Sequence, residues 1–351
     1  MRSELMRLKR DTVTGRITVA SAATLPARDR PSWHTKATLA VAAAAALAVL
    51  SITWLYLTQG HVKTFDSVAV LPFANAGGDA SMEYLSDGIT ESLIGSLSQI
   101  PRLRVIAPST VFTYKGRKLE PHKIGQELKV AAVVQGKVTK LGETLVIEAD
   151  LVNAVDDTEL WGEHYRRKMG DVFAVQSDIA REIADKLRLH LTGEEEKRLT
   201  KHYTESPEAY QLYLKGLYNS KQFSKEGLEK GSEYFRQAID KDPNYALAYD
   251  GLAYNYGVVV DWLVPPRDAM PRTKMFAEKA LEVDDTLGDA HNWLGAVYFW
   301  YDYNPAAAEK EFKRALELSP NDAEAHGIYG WYLVAMKRFD EGIAESERGR
   351  N

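Results

Sequence analysis

Side chains that could support acid–base chemistry occur between residues 86 and 164. They are Ser86 and Asp87, the adjacent Asp156 and Asp157, and the two histidines His122 and His164. Acid–base catalysis needs such groups in one pocket, whereas these fall on separate predicted elements without a motif that links them. We therefore expect Ser86 and Asp87 to cap a helix and the two neighbouring aspartates to form a turn.

Two further histidines, His291 and His326, invite a metal-site interpretation but occupy equivalent places in a repeat, where packing between helices is the expected role. Walker, GxGxxG, HExxH, GxSxG, HRD and DFG motifs are absent from the sequence. The sequence therefore predicts no catalytic residue, metal or cofactor in this chain. A hydrolase that uses Asp87 or His164 is the alternative left open.

Charge is unevenly distributed along the 351 residues. Residues 1–36 have a net charge of +5, residues 37–200 of -3 and residues 201–351 of -7. A large acidic C-terminal part argues against nucleic acid as a partner, because a phosphate backbone needs a basic surface. The chain has no cysteine, which excludes a disulfide scaffold and a cysteine nucleophile.

A run of 21 uncharged residues, 37–57, consists largely of alanine and leucine. At about 1.5 Å per residue, such a helix crosses a hydrocarbon core of roughly 30 Å, so we predict a single transmembrane helix. Eight basic residues precede this run and only Lys63 follows it closely. This asymmetry predicts a cytoplasmic basic juxtamembrane segment at residues 1–36 and an extracytoplasmic remainder. A cleaved signal peptide is the alternative.

Residues 63–192 alternate strand and helix patterns and predict an α/β (α+β) domain with one helix-covered face. A hairpin is expected from residues 131–138 and 144–152. In its second arm Leu145, Ile147, Ala149 and Leu151 alternate with more polar positions. A last strand at residues 160–166 and an amphipathic helix at residues 171–191 complete the pattern.

Seven ordered motifs in this region resemble the TolB-like N-terminal module, which is related to the FlgO family. They are residues 68–73, 84–91, 103–106, 124–128, 134–136, 160–161 and 172–176. This resemblance implies a TolB-N-like interaction or sensory domain of the kind that accompanies bacterial transmembrane kinases, adenylate cyclases and transcriptional activators. Residues 1–16 in turn resemble the exit segment of the catalytic domain of bacterial transmembrane serine/threonine kinases.

Self-similarity with a period near 35 residues begins after residue 206. Ala238, Ala280 and Ala315 recur in related contexts, at spacings of 42 and 35 residues. The pattern resembles tetratricopeptide repeats and implies an all-α solenoid at residues 207–351, with about four repeats, the last incomplete. Residues 257–271, which contain three prolines, predict a loop within the second repeat.

The resemblance to tetratricopeptide repeats implies a groove lined by the first helix of each repeat. Six residues map onto the groove-facing sites: Asp250, Tyr254, Asn292, Phe299, Trp300 and Trp331. Aromatic and amide side chains suit a peptide ligand, although the aromatic residues would equally serve packing within the array.

The leading hypothesis is a single-pass protein of the bacterial inner membrane that binds a protein or peptide with its periplasmic domains. It would be the sensory part of a receptor-like serine/threonine kinase, whose kinase activity would reside in a domain before Met1, and a homodimer is compatible with it. The alternative is a constitutive cell-envelope scaffold without a signalling role.

Overall fold

The computed structural model describes residues 65–117, 119–260 and 263–350, all within one compact unit that spans residues 64–351. The juxtamembrane segment predicted for residues 1–36 and the transmembrane helix predicted for residues 37–57 lie outside the described residues and stay predictions. In the part that is described, no helix is both long and apolar enough to cross a membrane.

Short apolar β-branched runs and one long hairpin build a mixed sheet with strand order β3-β1-β4-β5-β6. The strands are β1 (Ser67–Val70), β2 (Ala74–Asn75), β3 (Arg104–Val105), β4 (Ala132–Leu141), β5 (Thr144–Asn153) and β6 (Glu159–Lys168). β1 runs parallel to β3 and β4, β2 also pairs with β4, and β4, β5 and β6 are antiparallel neighbours. The hairpin turns at Gly142, whose φ of 63° suits a residue without a Cβ.

The alternation predicted for β5 is confirmed, since Leu145, Ile147, Ala149 and Leu151 are buried while intervening positions retain exposure. The buried face packs beneath helices. The helices of this part are α1 (Glu83–Ser98), α2 (Pro108–Val111), α3 (Pro121–Leu128), α4 (Val172–Lys186) and α5 (Gly193–Leu199). Trp161 Nε1 on β6 donates a hydrogen bond of 2.7 Å to Glu182 on α4, which fixes this helix against the sheet.

The expectation that Ser86 and Asp87 cap a helix is wrong. α1 begins at Glu83, so both residues lie inside the helix, and both are buried. Ser86 and Asp87 are residue types that often cap helices. Here, however, the buried face of α1 extends toward the N-terminus beyond them and includes Leu85, so the helix begins about one turn earlier. The turn expected at Asp156 and Asp157 is confirmed, with φ of 56° at Asp157.

Four antiparallel helix pairs follow, in agreement with the repeat pattern. They are α6 (Pro207–Ser220) with α7 (Lys225–Lys241), α8 (Ala246–Val258) with α9 (Pro266–Val283), α10 (Gly288–Trp300) with α11 (Pro305–Leu318), and α12 (Ala323–Ala335) with α13 (Phe339–Arg350). The recurrent Ala238, Ala280 and Ala315 are fully buried, as close approach of stacked helices requires.

The loop predicted for residues 257–271 is shorter than expected. α8 continues to Val258 and α9 begins at Pro266, a first-turn position where the missing N–H of proline costs nothing. Pro271 lies within α9. Two of the three prolines, Pro266 and Pro271, therefore lie in the first turns of α9, whereas the sequence pattern had predicted that all three lie in a loop.

α1 of the α/β part packs directly against α6, the first helix of the array. A Cβ at Gly88 would lie 2.6 Å from Leu214 Cδ2, so a larger residue there would require the Leu214 side chain to shift. Tyr210 on α6 donates a hydrogen bond of 2.5 Å to Gln176 Oε1 on α4. At the other end, Asn321 Nδ2 donates to the carbonyl of Ile100 at 2.8 Å and to that of Ser98 at 3.3 Å. The α/β part therefore contacts the first helix pair and the loop that joins the third pair to the fourth.

Candidate ligand-binding cavity

A cavity of about 730 Å³ lies where α1 faces the first helices of the array. α1 forms one wall, and residues of α6, α8, α10 and the start of α12 form the other. The volume is in the range of sites for small organic ligands. The groove expected to be open along the repeats is thus partly covered by the α/β part of the same chain.

The wall formed by α1 carries two carboxylates that have lysine partners, one buried (Asp87) and one partly buried (Glu91). Lys115 Nζ lies 2.6 Å from Asp87 Oδ1, and Lys221 Nζ lies 3.4 Å from Glu91 Oε1. Burial raises the pKa of Asp87 and of Glu91 despite these lysines. The lysines offset only part of the cost of removing the carboxylates from water.

The opposite wall carries Asp250, Asp289 and Glu324. Burial, reinforced by the negative charges of Glu324 and Asp322, raises the pKa of Asp250 to about 7. Desolvation at the cavity wall, then the charge of Asp322, raises the pKa of Glu324, although Lys221 opposes this shift and the side chain remains exposed. Burial and neighbouring carboxylates also hold the pKa of Asp289 well above its usual range. Asp289 and Glu324 are both exposed and line the cavity, so a ligand inside it can reach them, and solvent there weakens the effect of desolvation on both carboxyl groups.

Five buried polar atoms of cavity-lining residues have no hydrogen-bond partner among the described residues: the acceptors Asp250 Oδ1 and Asn292 Oδ1, the donor Gln176 Nε2, and the hydroxyls of Ser220 and Tyr245. Asp250 is 9% exposed and Asn292 is 2% exposed, and both line the cavity. A buried acceptor without a donor costs about 1–3 kcal/mol. Such groups are expected where a ligand, an ion or water supplies the missing donor.

Aromatic rings form the apolar part of the lining. Tyr254 packs edge-on to Trp293 with ring centroids 5.7 Å apart, and Tyr213 packs edge-on to Tyr245 at 5.2 Å. All four rings line the cavity. The site therefore combines carboxylates and a buried amide with flat aromatic surfaces.

The structure brings three of the six predicted groove residues together: Asp250, Tyr254 and Asn292 line the cavity. The other three, Phe299, Trp300 and Trp331, lie outside it. Phe299 packs against Trp300 and Tyr332 with centroids 5.6 Å and 5.1 Å apart, whereas Trp331 is 73% exposed. An aromatic at a repeat position thus did not by itself indicate orientation toward the ligand.

Glu91, Asp289 and Glu324 are cavity residues that the sequence analysis did not identify. Asp289 and Glu324 stand 35 residues apart, at equivalent places two positions before His291 and His326. That recurrence was a usable signal. The sequence contains no comparable signal for Glu91, because the distance of Glu91 from the array depends on how α1 packs against α6.

The histidines considered for chemistry have carboxylate partners outside the cavity. His122 Nδ1 lies 2.5 Å from Asp157 Oδ2, and His164 Nδ1 lies 3.5 Å from Glu148 Oε2. His291 and His326 make equivalent contacts of 2.6 Å, to Glu311 and Glu345 respectively. Each of these last two contacts joins the two helices of one pair. Across the described parts of the chain, no group of three or more acidic or histidine side chains is arranged to hold a metal ion.

No family model matches the chain. It is 31% identical over 236 residues to a protein of Rhizobium meliloti (strain 1021) named "Putative adenylate cyclase 3". The match covers 67% of this chain and 40% of that relative, so the chain spans less than half of the relative's length.

Among solved structures, a thermophilic TPR protein of Thermus thermophilus is 17% identical, with a TM-score of 0.34. The alignment covers 52% of this chain and 86% of that one. TolB from Acinetobacter baumannii is 14% identical, with a TM-score of 0.26 and coverage of 36% and 30%. Similarity at this level leaves the description of the fold resting on the contacts within this chain.

The Rhizobium meliloti relative overturns one prediction. The absence of familiar catalytic motifs predicted that this chain has no enzymatic role, and a 31% identical protein that carries the name of a cyclase contradicts it. Motif absence was a poor guide because the motifs considered belong to other enzyme classes. The name describes a whole protein of which the match covers 40%.

Proposed function

We propose that this chain contains the ligand-binding region of a bacterial signalling protein, with a short peptide segment or an organic ligand of similar size bound between α1 and the helical array. The observation that supports this proposal best is the cavity of about 730 Å³, into whose lining the partnerless acceptors of Asp250 and Asn292 are built. Buried polar groups without partners are unfavourable for stability and are typical of sites that a ligand completes.

The position of the cavity suggests how binding would be transmitted. A ligand there contacts α1 on one side and α8 and α10 on the other, so its affinity depends on their relative arrangement. A ligand shifts an equilibrium only by its difference in affinity for the two states. Binding would therefore favour the closed arrangement of the α/β part on the array.

We further propose that the output is nucleotide cyclisation, either by the same polypeptide or by an enzyme that this region regulates. The support is the 31% identity over 236 residues to the Rhizobium meliloti relative. A serine/threonine kinase output, implied by the resemblance of residues 1–16, is the second candidate.

An exchange experiment tests the cyclase proposal. Residues 65–350 of this chain replace the corresponding region of the Rhizobium meliloti relative, and cyclic AMP is measured in bacteria that lack their own cyclase. We expect the chimera to produce cyclic AMP, and Asn292→Leu within it to change the output at least about fivefold, the lower range of allosteric coupling.

The matched control is Asn244→Leu, the same substitution at an exposed position outside the cavity, which should leave the output unchanged. Cyclic AMP that responds equally to both substitutions, or to neither, would contradict control through the cavity.

We also propose that residues 37–57 anchor the protein in the bacterial inner membrane with residues 63–351 in the periplasm. The support is the uncharged 21-residue run and the basic residues before it. Alkaline phosphatase fused after residue 200 should be active, because this enzyme needs an oxidising compartment, and β-galactosidase fused there should be inactive. The reverse pattern would exclude this orientation.

A further inference from the structure

We infer that the ligand of the cavity is an organic cation, with a guanidinium or ammonium group that the carboxylates of α8, α10 and α12 receive. This inference rests on the proposed ligand-binding function and specifies its ligand class. It follows from the balance of charge in the cavity, the unfilled acceptors and the spread of the carboxylates.

Negative charge exceeds positive charge in the lining. The charged and titratable side chains there, on every element that packs around Asp250, are Asp87, Glu91, Lys115, Lys201, His202, Tyr203, Tyr210, Tyr213, Tyr218, Lys221, Tyr245, Asp250, Tyr254, Asp289, Asp322 and Glu324. The lysines are committed: Lys115 binds Glu83 and Asp87, Lys201 binds Asp284, and Lys221 binds Glu91.

Four carboxylates remain without an ion pair among the described residues: Asp250, Asp289, Asp322 and Glu324. Repulsion among these neighbouring carboxylates destabilises the folded protein, and a bound cation would reduce that repulsion. An anionic ligand would add to the repulsion. At pH 8, above the pKa of about 7 of Asp250, the charge of the cavity therefore favours a positive ligand.

The unpartnered acceptors supply an independent reason. Asp250 Oδ1 and Asn292 Oδ1, both at least nine-tenths buried, line the same cavity and lack donors among the described residues. They require N–H or O–H donors, which a guanidinium supplies. Gln176 Nε2, a buried donor in the same lining without a partner, calls for an acceptor in another part of the ligand. The rings of Tyr254 and Trp293 add surfaces on which a cation is favourable.

An inorganic cation fits this lining less well. The carboxylates are distributed over three helices, and no metal-holding cluster occurs within residues 65–117, 119–260 and 263–350. Divalent ions need several oxygens at about 2.0–2.6 Å from one point. A planar or flexible organic cation can instead engage carboxylates that are spread along a wall.

Calorimetric titration of the full chain at pH 8 tests the inference with two probes of the same shape. Arginine amide carries a guanidinium, and citrulline amide replaces it with a neutral urea. We expect arginine amide to bind at least about tenfold more tightly, and Asp250→Asn to remove this preference, as expected for loss of a buried charge partner. Asp240→Asn, on the exposed side of α7, is the matched control and should preserve it.

Each other outcome overturns the inference. Equal binding of the two probes, lost in Asn292→Leu, would leave the cavity as a binding site and exclude selection for a cation. Binding of calcium ions that Asp250→Asn abolishes, without binding of arginine amide, would show an inorganic ligand. Failure of both probes would reject the organic cation, while the chimera experiment judges the proposed function separately.

Discussion

Asp250→Asn is expected to raise the midpoint of thermal unfolding at pH 8 by at least about 5 °C, because it removes a charge that the fold buries at a cost. Burial and the nearby Glu324 and Asp322 raise the pKa of Asp250 to about 7. At pH 8 the wild-type carboxylate must be ionised in this environment, whereas asparagine keeps nearly the same shape without charge. One pKa unit corresponds to about 1.4 kcal/mol, and about 1 kcal/mol shifts the midpoint of a chain of this size by roughly 2–4 °C.

The increase in the unfolding midpoint caused by Asp250→Asn should grow as the pH rises. Between about pH 4 and pH 7 the folded protein holds a proton on Asp250 that the unfolded chain has released, since the folded-state pKa of this buried carboxyl is about 7. The free energy of unfolding that Asp250 contributes therefore falls as pH rises through this window. The pKa values of Glu324 and Asp289 are raised too, so these groups act in the same direction. The advantage of Asp250→Asn should be small near pH 4 and largest above pH 7.

Circular dichroism melts at pH 5, 6, 7 and 8 measure this difference between the variant and the wild type. Asp240→Asn, an exposed aspartate, should show no pH-dependent difference. An advantage of Asp250→Asn that shrinks from pH 5 to pH 8 would show that the carboxylate is ionised and stabilised in the folded chain. A stabilising substitution that also abolishes cation binding would be the signature of a site kept for function.

Phe235→Ala is expected to cost about 3–5 kcal/mol of unfolding free energy. The ring is fully buried between two helices: a Cβ at Gly216 would lie 2.4 Å from it, and a Cβ at Gly251 would lie 2.6 Å from it. Its centroid is 5.8 Å from that of Tyr213. Because Phe235 also lines the cavity, its removal should weaken ligand binding as well as stability.

Phe312→Ala is the matched control for this second effect. Phe312 is equally buried, at the related place in the third helix pair, and contacts Tyr329 and Tyr332 rather than the cavity. Urea denaturation should show comparable losses of stability in the two variants. Calorimetry with arginine amide, at a temperature where both are folded, should show weaker binding only in Phe235→Ala. Equal effects on binding would contradict a specific role of Phe235 in the cavity wall.

Periodicity was enough to predict the elements whose formation depends on local pattern. β5 alternates buried and exposed residues, and the spacing of Ala238, Ala280 and Ala315 locates the stacked helices, because both patterns follow from backbone geometry. The start of α1 was misplaced because Met82, at its N-cap, makes no capping hydrogen bond with its side chain. A helix that starts by packing leaves little local trace.

The cavity itself could not be predicted from spacing. Asp250 and Asn292 were identified because their repeat positions indicate which face of the first helix of a repeat lines the concave surface of the array. Glu91 joins them only because Gly88 lets α1 approach Leu214, a contact between residues 126 positions apart. Trp331 satisfied the same aromatic pattern as the cavity residues, yet it projects away from the covered part of the array and remains exposed.

The hydrogen bonds of Asn321 give the helical array a mechanical property that stacked repeats ordinarily lack. Such arrays behave as springs, because each unit contacts only its neighbours and small rotations add up along the stack. Here Asn321, in the loop between the third pair and the fourth, is bound to the carbonyls of Ser98 and Ile100, while the first pair packs against α1 near Gly88. An array that contacts the same helix, α1, near its first pair and again after its third pair cannot change its curvature freely between these two points. Any change in the curvature of the array must either break the hydrogen bonds of Asn321 or move α1 with the array.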